Sequence, residues 1–162
     1  MIRVEPLTLP WIEALAEGDA VFTDRFGIPV VEGWVGFPEA IPFALEEARA
    51  GTSGRWGSHL FFDEDGALVG FGGWKGPPAD GVAELGYAVA PERQGKGIAT
   101  AVVRQLVTRS EAAGVACVIA HTLPEKSAST SVLSRCGFTH ESDVVDPDGG
   151  VEGVVWRWEL PL

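Results

Sequence analysis

Sulfur and imidazole chemistry have little material here. The chain carries two cysteines, Cys117 and Cys136, and three histidines, His59, His121 and His140. The cysteines show no CxxC spacing, so a disulfide or a catalytic thiol gains little support. Cys117 lies in the apolar run "VACVIA" and Cys136 just before "GF", as small core residues would. The histidines are scattered without HExxH or similar spacing, and no metal is expected. Positive charge is also scarce. Twelve Lys and Arg face 23 Asp and Glu, for a net charge of -11. Such a surface repels phosphate backbones, so no nucleic-acid partner is expected, and it attracts cations, amines included; serving solubility alone is the other reading of that acidity. No apolar run approaches the ~18 residues that span a bilayer. The opening "MIRVEPLTLPWIEAL" has Glu and Pro where a signal peptide would be uninterrupted. The expectation is a cytoplasmic protein with no membrane partner. Internal repeats and low-complexity segments are absent.

What the chain does have is core material. Of 162 residues, 46% are hydrophobic and 22% charged, which suits a single domain over 1–162. A short strand is expected over 2–5. A helix follows over 10–18, with Pro10 in its first turn and Gly18 at its stop. The stretch 20–38, rich in Gly, Pro and aromatics, reads as loop with at most a helical turn. A helix over 39–50 places Ile41, Leu45 and Ala48 on one face. "SHLFFD" and "ALVGFGGW" flank the hairpin turn "DEDG", and "VAELGYAVA" reads as a third strand. The clearest helix is 98–113, where Ile98, Val102 and Leu106 recur at steps of four and Gly114 stops the run. "VACVIAH" is continuously apolar, as a strand covered on both faces is. A helix over 127–136 and two strands around "DPDGG" complete a mixed α/β (α+β) order.

One junction stands out. "ELGYAVAPERQGKGIATAVVRQLV" runs from an alternating strand through a basic, glycine-rich turn into a helix. A Walker loop fails, because Ala90 and Gly97 stand where Gly and Ser or Thr are needed. A dinucleotide fingerprint fails too. Thr100 replaces the third Gly, and the acidic ribose ligand is missing. The physics of the turn survives both failures. Gly95 and Gly97 let the backbone curl so that N–H groups converge. The helix start adds its unpaired N–H groups and positive dipole end. Arg93 and Lys96 add charge, and together these features favour a pyrophosphate. An ordinary helix entry, with glycines serving the turn alone, is the other reading.

"QGKGIA" fits Gln/Arg-x-x-Gly-x-Gly/Ala through Gln94, Gly97 and Ala99. With its surroundings it resembles the coenzyme-A-binding motif of the GNAT N-acyltransferase superfamily. Downstream, "AHTLPEKSASTSVLSRCGF" resembles that superfamily's next segment. The likeness is specific over 83–138 and topological elsewhere. Its flavour is nearest the ribosomal-protein N-terminal acetyltransferases. The resemblance implies a mixed, mostly antiparallel central sheet with splayed strands, flanked by helices. It implies an acyl-CoA in the V-shaped opening between the fourth and fifth strands, where Pro91 would end pairing. Pantetheine would run along Tyr87, Ala88 and Val89. The N–H of Val89 would polarise the thioester carbonyl. Gln94 belongs to the motif, and backbone N–H groups from Gly95, Lys96, Gly97, Ile98, Ala99 and Thr100 would take the pyrophosphate.

The implied reaction is acetyl transfer from acetyl-CoA to a primary amine, either a small molecule or a peptide N-terminus. Glu84, on the strand facing the reaction centre, is the candidate general base; a structural strand carboxylate is the alternative. Two positions depart from the family. Lys126 stands where Asn is usual, and either meets a coenzyme phosphate or is solvated. Leu133 stands where many relatives carry the Tyr proposed to protonate the thiolate. Ser129 is then the leading proton donor, with helix capping as its alternative, and His121 the second. Trp34, Phe37 and Trp56 could line an acceptor pocket, with Glu32 or Asp24 holding a cation; packing is their other role. A non-catalytic acyl-CoA-binding or sensor domain is the rival function. Many relatives form dimers, so a homodimer is a possible assembly.

Overall fold

The computed structural model describes residues 1–52, 54–150 and 152–162. Seven strands form one sheet: β1 (Arg3–Pro6), β2 (Ser58–Phe62), β3 (Leu68–Trp74), β4 (Val82–Val89), β5 (Cys117–Thr122), β6 (Thr139–Val145) and β7 (Val154–Pro161). Their spatial order is β1-β2-β3-β4-β5-β7-β6. Every pairing is antiparallel except β4 with β5. That parallel pair needs a crossover, supplied by α4 (Ile98–Ala112). The other helices are α1 (Leu9–Glu17), α2 (Asp19–Phe26), α3 (Ala40–Ala50) and α5 (Ala128–Arg135).

Strand alternation divides the core in two. One face buries Val69, Trp74, Ala83, Leu85, Val118 and Ala120 against Val102, Val103 and Leu106 of α4 and Leu133 of α5. The other face buries Leu60, Phe62 and Leu68 against Ile12, Leu15, Phe22 and Ala44 of α1 to α3. These three helices pack on the β1 to β3 half of the sheet. Beyond β3 that face carries Glu84 and His121 along with the buried Ile119.

Most sequence expectations agree with these elements to within two residues. The exception is α2, which lies in the stretch read as loop. "DAVFTDRF" buries one side chain, Phe22, so its apolar periodicity is weak. Its ends are set by backbone: Gly18 leaves α1 at φ 145°, and Gly27 closes α2 in the left-handed region at φ 67°.

The splay between β4 and β5 is present, with a cause different from the one expected. The two strands pair only from Val82↔Cys117 to Leu85↔Ala120, although β4 runs on to Val89. Pro91 lies well past that point. β4 stays with β3 through Gly70↔Val89, while β5 stays with β7 over Cys117 to Thr122. Each strand keeps its outer ladder and the twisted sheet opens between them. Pro91 ends the β3 ladder, whose last bond is Ala90 N–H to Val69 O at 2.8 Å.

Candidate active site

The opening forms a cleft of about 570 Å³, within the range of small-molecule sites. Tyr87, Ala88 and Val89 of β4 line one wall, and Ala128, Ser129, Ser131, Val132 and Arg135 of α5 another. Gln94, Gly95 and Gly97 to Thr100 close one end. The loop before α3 adds Gly33, Gly36 and Phe37. This loop sits so tightly that a Cβ on Gly36 would lie 2.6 Å from the Ala88 Cβ, and one on Gly33 2.7 Å from Pro91 Cδ.

The β4 edge facing the cleft is open. Lys75 N–H bonds Glu84 O, and Ala90 N–H bonds Val69 O. Main-chain groups of even-numbered residues therefore point toward β3. The N–H groups of Tyr87 and Val89 point the other way, into the splay. The Val89 carbonyl is taken by Gln94 Nε2 at 3.1 Å, which ties the turn to the end of β4.

The turn itself bends left-handed at Gly95 (φ 75°) and Gly97 (φ 80°). Gly97 caps α4 with no side-chain acceptor, so the first-turn N–H groups stay available. The charges are arranged differently from expectation. Arg93 pairs with Asp63, itself nearly buried, and is neutralised there. Lys96 is exposed and borders a separate hollow with Asp63 and Glu64, so its side chain lies outside the cleft. Lys126 is exposed and is not a cleft residue either. The cation lining the cleft without an ion-pair partner among the described residues is Arg135, one helical turn and more along α5 from Ser129. Its position near "CGF" gave no sign of this, because the facing of α5 is set by Leu133 and Thr130 packing inward.

Glu84 lies on the opposite face of the sheet from α4. Ala83 and Leu85 enter the α4 and α5 core, so Glu84 projects to the polar half of the other face. Its Oε2 meets His121 Nδ1 at 3.0 Å and Lys75 Nζ at 3.0 Å. Among the described residues nothing bonds Oε1. The side chains of Glu84 and His121 are 20% and 10% exposed, a half-buried pair at the apex of the splay. Lys75 also pairs with Asp148, at 2.6 Å, in the loop between β6 and β7. Burial pulls the Lys75 ammonium pKa down, but Asp148 and Glu84 outweigh it and the net direction is up. No local pattern in the sequence signals Lys75 or Asp148; they meet because strand register and a hairpin bring together residues 73 apart.

Ser129 lines the cleft but does not cap its helix. That role belongs to Ser127, in a reciprocal box with Thr130. The Ser129 carbonyl instead accepts from the Tyr87 hydroxyl at 3.3 Å. Tyr87 is the chain's one tyrosine. Burial pushes its pKa up, so the phenol stays protonated at the cleft wall. His121, bound to Glu84, belongs to the far face and is not placed to reach a group in the cleft beside α5. Leu133 is fully buried core. Of the three aromatics considered for an acceptor pocket, Trp34 is core, bonded to Asp19 and packed on Phe71. Trp56 packs on Trp74. Only Phe37 lines the cleft, 74% exposed. Asp24 and Glu32 are exposed and are not among the residues that line it. Cys117 and Cys136 are free, and burial raises both thiol pKa values. Among the described residues no three His, Cys, Asp or Glu gather as a metal site. No helix there is long and apolar enough to cross a membrane.

A family model described as an acetyltransferase (GNAT) domain matches residues 10–139. Among solved structures, RimJ of Mycobacterium smegmatis in complex with CoA-disulfide is similar at 22% identity and TM-score 0.64, over 99% of this chain and 81% of that one. The ribosomal-protein-S18-alanine N-acetyltransferase of Escherichia coli is similar at 18% identity and TM-score 0.66, over 99% and 94%. A mutant form of the spermidine/spermine N-acetyltransferase SpeG of Vibrio cholerae is similar at 16% identity and TM-score 0.71, over 99% and 95%. These likenesses establish the fold. No curated protein sequence matches the chain.

Proposed function

The chain belongs to the GNAT acetyltransferase family, and from that premise we propose that it transfers an acetyl group from acetyl-CoA to a primary amine by direct attack on the thioester. The observation that carries this reading is the open β4 edge, with free N–H groups at Tyr87 and Val89, ending in an uncapped helix start at Gly97. An extended pantetheine can pair along that edge as an added strand. The N–H groups from Gly95 to Thr100 would receive the pyrophosphate. Val89 N–H would donate to the oxygen that gains charge during attack. Arg135 supplies the cleft's uncommitted positive charge for a phosphate, a task the sequence had suggested for Lys126.

The acceptor would approach from the other face of the splay, where Glu84 waits. Lys75 and His121 fix Oε2 and leave Oε1 to take a proton from the acceptor nitrogen, directly or through water. The departing thiolate would lie on the α5 side. There Ser129 offers a hydroxyl and Tyr87 a protonated phenol. The acceptor class is a cationic amine or a peptide N-terminus, in keeping with the net charge of -11 and with relatives named for ribosomal-protein alanine and spermidine acetylation.

Thiol release from acetyl-CoA, measured across a panel of polyamines, amino acids and N-terminal peptides, tests the proposal. Amine-dependent release is expected. Coenzyme binding without release for any amine would favour the non-catalytic acyl-CoA sensor.

A further inference from the structure

One of the chain's own amines sits beside the carboxylate that would serve an acceptor. Lys75 Nζ lies 3.0 Å from Oε2 of Glu84, the candidate base. Its aliphatic stem crosses Gly86, where a Cβ would come within 3.3 Å of Lys75 Cε. Gly86 is the first β4 residue beyond the last β4–β5 pair, Leu85↔Ala120, so the amine stands at the apex of the opening. The chain has two other lysines, Lys96 and Lys126. Both are exposed, and neither has an ion-pair partner among the described residues.

We propose that Lys75 is an internal acetyl acceptor, modified by the protein's own bound acetyl-CoA. This rests on the acetyl-transfer reading of the same cleft. The ammonium gives one proton to Glu84. The freed nitrogen attacks the thioester carbonyl carbon, the N–C bond forms and the C–S bond breaks. The nitrogen's second proton goes to the departing thiolate, leaving a neutral amide and free thiol. The modified side chain no longer pairs with Glu84 or Asp148. The β6–β7 loop loses the Asp148 ion pair to the residue that follows β3, and Glu84 keeps only His121 on Oε2. Self-acetylation would thus remove an internal cation from beside the carboxylate that serves the acceptor. The groups facing the amine are Glu84 from β4, His121 through the shared Oε2, and Asp148 from the loop. The two carboxylates hold it as ammonium, which makes the modification slow and base-dependent rather than immediate.

The test is site-resolved mass spectrometry of the whole protein incubated with acetyl-CoA, alongside thermal shift to establish coenzyme binding. Acetylation at Lys75 is expected to run about a hundredfold faster than at Lys96 or Lys126, the low end of what a positioned base supplies. Glu84→Gln separates the mechanisms. It removes a carboxylate that keeps Lys75 protonated, so simple solution acylation would speed up. Loss of the base would slow it, and slowing is expected. Rates at Lys75 equal to or below those at the exposed lysines, or faster in Glu84→Gln, would overturn the inference while leaving acetyl transfer to external amines intact. A protein that binds no acetyl-CoA would instead remove the functional reading on which it rests.

Discussion

Among the described residues Glu84 has one oxygen committed and one without a partner, and that asymmetry sets the residue-scale predictions. Glu84→Gln preserves shape and hydrogen bonding but cannot take a proton. The expected result is a fall in kcat/KM for the amine of about two orders of magnitude near neutral pH, with acetyl-CoA affinity nearly unchanged. The deficit should narrow as pH rises and free amine becomes abundant. A pH-independent loss confined to the acceptor KM would show that Glu84 serves as a counter-charge. At the thiolate side, Tyr87→Phe and Ser129→Ala are compared directly. Tyr87→Phe removes the bond to the Ser129 carbonyl, worth about 1 kcal/mol of stability. If its phenol also protonates the thiolate, kcat should fall roughly tenfold or more while Ser129→Ala stays near wild type. Loss of Tm without loss of kcat would reduce Tyr87 to a brace for α5.

At the scale of elements, the start of α4 and the glycine turn before it carry the coenzyme hypothesis. Gly97 sits at φ 80° with open space where a Cβ would lie, and it is one of the residues that line the cleft. Gly97→Val forces a β-branched residue into the left-handed region, at a cost of roughly 1–3 kcal/mol. It also places methyl groups where a pyrophosphate must approach the N–H groups. Calorimetry is expected to show at least a tenfold weaker Kd for CoA in a protein whose circular dichroism is unchanged. An unchanged Kd would mean that the glycine serves the turn alone. This element was legible in the sequence because its requirements are local: two glycines, a strand before and an amphipathic helix after. The Glu84 cluster was legible only by half. Alternation along "VAELGYAV" put Glu84 on a strand face, but nothing local could pair it with Lys75, His121 and Asp148.

For the whole molecule, ligand linkage and proton linkage are the two measurable consequences. Acetyl-CoA at ~100 times its Kd adds about 2.7 kcal/mol, which for a chain of this size raises Tm by about 5–10 °C. An unmoved Tm at saturation would remove the central claim. Proton linkage centres on His59, buried against Trp74 with Nδ1 on the Gly57 carbonyl at 2.9 Å. Burial lowers its pKa from 6.5, against the opposing pull of that carbonyl. The folded state therefore keeps His59 neutral where the unfolded chain takes a proton. The contribution is fully present above pH 6.5 and is lost as pH falls from there toward the lower folded value. His59→Gln should show a shallower decline of Tm between about pH 7 and about pH 5 than wild type. Parallel slopes would assign the acid sensitivity to other groups.

What the sequence determined by itself were the features with a local cause. Helix α4 follows from apolar spacing, β5 from an unbroken apolar run, and the left-handed turn before α4 from glycines that few other residues could replace. Tertiary structure decided whatever depends on which strand neighbours which. It opened β4 from β5 because each strand kept its outer ladder, and Pro91 took no part in that opening. It neutralised Arg93 on Asp63, turned Lys96 away from the cleft and brought Arg135 to it. It also seated Lys75 on the candidate base. Charges act through space, and their partners here lie 9 to 73 residues distant in the chain, so no reading along the chain could have paired them.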